Sequence, residues 1–168
     1  EAIRRSGIAD GALRLNWSRG SGGRGLQPPA QAKGRCWGSL YPHQPGFQRQ
    51  QVVISQRVKR WAEDPLNGCK TLDYSAMVLA RVEASQAGAG DVLLRSSQGG
   101  LCCGSSANLL VQERGQWLTP PLSSGALPGV MRARGVAMGL IQEAHVGDSL
   151  VEEQPALLLN SLDCRPLN

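Results

Sequence analysis

The stretch Asn67-Gly68-Cys69-Lys70-Thr71-Leu72-Asp73-Tyr74 constrains this chain more than any other. Asn-Gly opens a turn, and the helix-forming run Tyr74-Ser75-Ala76-Met77-Val78-Leu79-Ala80 follows at once, so the turn delivers Lys70 to the start of a helix. That helix is expected over residues 74–87, with Asp73 as N-cap and Gly88 as its stop. Met77, Ala80 and Ala84 keep to one face and form its core side. Of eighteen basic side chains only three are lysines: Lys33 in a polar loop, Lys59 beside Arg57 and Arg60, and Lys70. Between Cys69 and Leu72, Lys70 is expected to be partly desolvated, and such an ammonium loses its charge more readily and can act as a nucleophile or Schiff base. On spacing alone, a lysine at an ordinary helix start is the commoner explanation, although the helix dipole mildly disfavours it there.

Strand signals surround this helix. Residues 12–17 alternate apolar and polar side chains, and short strands are expected at 36–40, 51–55, 91–95 and 109–111. The last returns through 116–118 as a hairpin turned at Arg114-Gly115. The glycine-rich turn at 20–25 lacks the spacing and lysine of a nucleotide loop, but it can carry Arg19 and Arg24 to a cleft where a guanidinium grips a carboxylate. A surface loop with solvated arginines explains those residues equally well. Residues 26–34, with Pro28-Pro29, read as a linker into a second domain that starts near Arg35. A helix opening at Val130 and running to about His145 would offer the free amides of Val130 and Met131 to a phosphate, although an ordinary proline-opened helix has the same pattern.

Bulk properties narrow the partners. A chain of 168 residues that is 41% hydrophobic can hold one substantial core, or one domain with part of another. No run approaches the roughly 20 apolar residues of a membrane helix, and the opening residues are not a secretory signal, so a cytoplasmic protein with no membrane partner is expected. The five cysteines are odd in number and lack C-x-x-C spacing, which argues for reduced thiols and against a metal site. The net charge of +5 is scattered without a basic helix, which favours a small anionic substrate over nucleic acid.

Cys69-Lys70-Thr71-Leu72-Asp73-Tyr74 resembles the K-T-L-N-Y signature of the class IV aminotransferase-like enzymes, the pyridoxal-phosphate proteins of fold type IV. Blocks at 18–25, 99–108, 119–132 and 160–166 also resemble family blocks, in the family's order. The resemblance implies a mixed α/β (α+β) fold of the D-amino-acid aminotransferase type. Residues 1–30 would be the remnant and linker of a small N-terminal domain, and 31–168 the large C-terminal cofactor domain, cut short at its end. It implies Lys70 as the Schiff-base lysine of pyridoxal 5′-phosphate, Tyr74 beside the cofactor, and Ser105, Asn108, Gly129, Val130, Met131, Asn160 and Ser161 around it. A homodimer is implied as well.

Two departures from the family pattern bear on activity. Leu26 stands where D-amino-acid transaminases carry a histidine, which leaves Arg24, with Arg19, as a candidate for substrate carboxylate. Cys103 aligns with the glutamate that pairs with the cofactor's ring nitrogen, and a thiol is a weak donor that carries little charge. The resemblance therefore favours a lyase that forms 4-aminobenzoate and pyruvate from 4-amino-4-deoxychorismate. A branched-chain or other amino-acid transaminase is the alternative, and a non-catalytic family member a third reading.

Overall fold

A computed structural model describes residues 1–168, the side chain of Ala2 apart. The chain forms two units, Glu1–Gln44 and Pro45–Asn168. In the first, a short helix α1 (Ala2–Ser6) precedes strands β1 (Gly11–Ser18) and β2 (Arg35–Pro42), which pair antiparallel from Gly11↔Pro42 to Ser18↔Arg35. The alternation at 12–17 becomes β1 as expected. The strand expected to open the second domain instead pairs with β1 along its whole length, because extended Arg35–Pro42 finds its ladder partner there, and the second unit begins at Pro45.

The second unit is built on one mixed sheet. Strand β3 (Val52–Arg60) leads through helix α2 (Ser75–Gln86) to β4 (Asp91–Ser96), which lies parallel to β3 as a crossover unit requires. Strands β5 (Leu101–Gly104), β6 (Asn108–Glu113) and β7 (Gln116–Thr119) follow as antiparallel neighbours. The β6–β7 hairpin turns at Arg114 (φ 49°) and Gly115 (φ 83°), the pair of left-handed residues that a two-residue hairpin turn needs. One edge of β6 pairs with β9 (Ala156–Leu159), while its other edge is divided between β5 at Asn108 and β7 from Val111 onward. Strand β10 (Cys164–Pro166) closes the order beside β9.

Three expectations are corrected. The strand at 51–55 continues to Arg60, because a bulge after Ile54 lets it rejoin β4 at Lys59↔Arg95. The helix opening at Val130, α3 (Val130–Ala137), stops well before His145. It closes at Met138 and Gly139, after which β8 (Ile141–Glu143) pairs parallel to β7. His145 therefore lies beyond a strand, its imidazole packed against Gly100, and ends no helix. Helix α4 (Asp148–Glu153) fills the connection to β9.

The sheet separates two cores. In β4, Val92 and Leu94 face one side and Leu93 the other, the period of two expected of a strand buried on both faces. One core joins Leu93, Leu101, Leu109, Val111 and Leu158; the other places Ala80 and Ala84 of α2 over Val92, Leu94, Cys102 and Cys103, with Ala126 beside them. Adjacent Cys102 and Cys103 share a core because Leu94 and Arg95 pair with Cys103 and Leu101, so Cys102 is the extra residue of a bulge.

Glu83 fastens α2 to the β3 bulge. Its carboxylate accepts from Ser55 Oγ at 2.7 Å and from the Gln56 amide at 2.7 Å. These bonds, Ser55 first, hold the Glu83 carboxyl below its ordinary value of 4.5. A lowered folded pKa adds stability that is present above the unfolded value and is lost as pH falls through the folded one. Glu83→Gln should therefore lower the thermal midpoint at pH 7 and converge on the parent as pH drops below 4.5. A gap that stays constant with pH in thermal scans would contradict this role.

Candidate active site

The turn before α2 is held from inside by Asn67, not by Lys70. Asn67 is buried; its amide donates to the Trp61 and Ala62 carbonyls at 2.7 and 3.3 Å, and its oxygen accepts from Arg60 Nη2 at 2.5 Å. Arg60 Nε also donates to the Gly125 carbonyl at 3.1 Å, so one guanidinium ties the Lys70 turn to the segment that leads into α3. Cys69, Lys70 and Leu72 all point outward. The expected desolvation of Lys70 is thus absent from this chain, because Asn67 takes the inward position of the turn. Lys70 Nζ lies 5.8 Å from the centroid of the half-buried Tyr74 ring.

Asp73 is not the N-cap of α2 as expected: Tyr74 takes that position without a side-chain cap, and Asp73 makes a local turn just outside it. The helix begins at Ser75, and Asp73 Oδ1 accepts from both the Ser75 amide (3.1 Å) and the Ser75 hydroxyl (2.6 Å). Those two bonds, the hydroxyl's first, lower the Asp73 pKa.

Cys103 and Asn108 oppose one another across β5 and β6. Cys103 is nearly fully buried, and its thiol pKa is pushed well up, by the hydrogen bond with the Cys102 thiol and then by burial. Cys102 moves the opposite way, lowered first by that same contact and also by Ser124, whose hydroxyl donates to its sulfur at 3.5 Å. Cys103 is thus a neutral thiol at physiological pH. The Asn108 amide donates to the Leu127 carbonyl at 2.9 Å and fixes the approach to α3. A Cβ at Gly129 would collide with Asn108 Oδ1, so any larger residue there must push aside the amide that Asn108 holds against Leu127.

Gly129 is the N-cap of α3, and the amides of Val130 and Met131 that follow have no partner within the helix. Their side chains are exposed. Arg132, one residue on, is buried and donates to the Pro120 carbonyl at 2.9 Å and to Glu143 at 2.5 Å, which anchors α3 to β8. Asn160 accepts from the Leu162 and Asp163 amides at 2.8 and 2.9 Å and donates to the Ser106 carbonyl at 3.4 Å; Ser161 is exposed beside it. Ser105 is committed inward, its hydroxyl donating to Asp91 Oδ1 at 2.5 Å.

The second unit thus links the Lys70 turn to the approach to α3 through Arg60, and that approach to β6 through Asn108. Ser105, Ser106 and Asn160 form a second linked group. Arg19 and Arg24 belong to the first unit, in the exposed connection after β1. Asn67, Arg60, Asp91, Arg132 and Arg165 carry the bonds that position the site, and none of them was singled out from sequence. The available signal was a polar residue at the edge of an apolar run, as with Asp91 before Val92-Leu93-Leu94.

The fold matches solved structures of fold type IV aminotransferases. A branched-chain amino acid aminotransferase from Escherichia coli superposes with a TM-score of 0.88 at 20% identity, over 98% of this chain and 59% of that one. A Legionella pneumophila protein provisionally named 4-amino-4-deoxychorismate lyase superposes with a TM-score of 0.87 at 23% identity, over 98% and 63%. The sequence pattern of the amino-transferase class IV family matches residues 1–166, and the chain belongs to that family.

Among curated relatives, a Methanocaldococcus jannaschii protein provisionally named branched-chain-amino-acid aminotransferase is 30% identical over 155 residues, 91% of this chain and 52% of its own length. A Schizosaccharomyces pombe protein provisionally named aminodeoxychorismate lyase is 36% identical over 85 residues, 48% of this chain and 37% of its own length. The chain spans about half the length, or less, of these relatives.

Members of the family use pyridoxal 5′-phosphate. Two features of this structure fit such a group: an exposed primary amine at Lys70, and a helix start at Gly129 whose free amides suit an anion. Gly129→Val should displace the Asn108 amide, lower stability by about 1–3 kcal/mol and weaken pyridoxal-phosphate binding. Met131→Leu, at an exposed position, should stay within about 0.5 kcal/mol of the parent. Thermal scans and absorbance titration with the cofactor would check both, and the reverse ranking would contradict the assignment.

Proposed function

We propose that the protein is a pyridoxal-phosphate-dependent lyase that converts 4-amino-4-deoxychorismate to 4-aminobenzoate and pyruvate. The observation that carries this reading is Cys103, a buried thiol kept neutral where the family pattern has a carboxylate. In this reading Lys70 holds the cofactor covalently, the amides of Val130 and Met131 take its phosphate, Tyr74, Asn108, Asn160 and Ser161 surround it, and Cys103 stands beside its ring nitrogen. Ser105 supports the site through its bond to Asp91.

When bound, the cofactor supplies a sink for the electrons of the bond that breaks. The chain's own contribution to proton movement is Lys70 Nζ: as the free amine it takes a proton from the substrate and returns it to the departing fragment. A neutral thiol at Cys103 puts no negative charge next to the ring nitrogen, so the sink is weak. Elimination that leaves an aromatic ring draws its driving force from the product and tolerates that weakness, whereas transamination does not. Arg24 and Arg19 remain candidates for a substrate carboxylate, with a homodimer as the working assembly and the cytoplasm as its location.

A branched-chain transaminase is the second reading, favoured by the archaeal relative, which matches far more of this chain than the yeast one does. Borohydride reduction of cofactor-loaded protein and peptide mapping should label Lys70. Incubation with 4-amino-4-deoxychorismate should then release 4-aminobenzoate and pyruvate in equal amounts, with little amino-acid product from 2-oxo acids. Label on Lys33 or Lys59, or a dominant amino-acid product, would sink the proposal.

A further inference from the structure

The outer face of α2 borders an open groove of about 610 Å³. Tyr74, Val78, Arg81 and Val82 line it from the helix, with Ser106 and Arg165 opposite. Tyr74, the N-cap of α2, and the three helix positions after it are spaced by four, three and one residues and share that face. Val78 and Val82 are 58% and 47% exposed, which makes the floor of the groove apolar and wet. Its end at Tyr74 adjoins Lys70, whose Nζ lies 5.8 Å from the tyrosine ring centroid.

Charge on the groove wall does not cancel. Arg81 and Arg165 each come within 3.4 Å of one oxygen of Asp91, a single carboxylate with no exposed surface. Two guanidiniums against one carboxylate leave one positive charge, and no other charged side chain among the described residues lines the groove. Asp91 Oδ1 is already occupied by the Val92 amide and by Ser105. Arg165 is four-fifths buried, and its Nε has no hydrogen-bond partner. A buried donor without an acceptor is costly, and a planar guanidinium best satisfies its donors on a carboxylate.

We propose that this groove is a subsite for a small organic carboxylate, with its charged end on Arg165 and Arg81 and its apolar body on Val78 and Val82. The identification of that anion with substrate or product rests on the reading of Lys70 above; the subsite itself rests on the groove and its charge. The apolar floor favours a carboxylate attached to a ring or hydrocarbon over a bare inorganic anion, because only the former covers Val78 and Val82.

Calorimetric titration of the purified protein with benzoate, and with benzyl alcohol as its neutral counterpart, tests this. Benzoate should bind, more weakly as salt is raised, with benzyl alcohol about tenfold weaker or worse. Arg165→Gln should weaken benzoate about tenfold or more. Because that change also strips Asp91 of a partner, Val82→Asp and Val82→Lys supply a test at an exposed position: the first should weaken and the second strengthen benzoate by about three- to tenfold. Equal benzoate affinity in the two Val82 variants, or benzyl alcohol binding as well as benzoate, overturns the subsite. Benzoate affinity that follows these charges while borohydride labels a lysine other than Lys70 would keep the subsite and remove the cofactor assignment. Labelling at Lys70 with benzoate indifferent to the charges would do the converse.

Discussion

A carboxylate with no exposed surface, Asp91 at the head of β4, is the interaction on which the second unit turns. Burying such a charge costs several kcal/mol unless it is paired and hydrogen-bonded. Here the compensation comes from three separate segments: Arg81 from α2, Ser105 from the β5–β6 turn and Arg165 from β10. All three converge on one carboxylate, so the cluster ties the helix that follows Lys70 to the turns that carry Ser105 and Asn160. Removing the carboxylate would leave the largely buried Arg165 guanidinium without its counter-charge, a loss of about 3–5 kcal/mol and a large share of an ordinary domain's stability.

A second, smaller node completes the framework. Arg60 holds Asn67 on one side and the Gly125 carbonyl on the other, and Asn108 holds the Leu127 carbonyl just beyond. The helix start at Gly129 and the lysine turn thereby become fixed relative to the sheet, although Lys70 itself is exposed. The role proposed for Lys70 needs an anchored backbone and a free side chain, and this arrangement supplies both.

Local signals made much of this legible. The β6–β7 hairpin followed from Arg114-Gly115, the α2 helix from its run of helix formers and its apolar spacing, and the opening of α3 from the turn at Pro128-Gly129. What stayed hidden was decided by partners distant in sequence. Nothing in Leu101-Cys102-Cys103 announces a bulge; the register of Leu94 and Arg95 imposes it and turns both thiols into one core. The early end of α3 is likewise set by the pairing of Ile141–Glu143 with β7, which competes with further helix. The exposure of Lys70 could not be read because its apolar neighbours Cys69 and Leu72 also face outward, while polar Asn67 goes in.

In the proposed lyase no charged partner stands beside the cofactor's ring nitrogen, and that absence directs the chemistry toward elimination. Cys103 stays neutral between pH 6 and pH 8, because its contact with Cys102 and then burial push its thiol pKa well up. Nitrogen-15 NMR of the protein loaded with pyridoxal phosphate labelled at the ring nitrogen reads that claim directly. The account predicts the resonance of an unprotonated pyridine, unmoved across the neutral range and shifted toward the protonated form by Cys103→Glu. A protonated resonance in the parent protein would contradict it and would return the transaminase reading to first place.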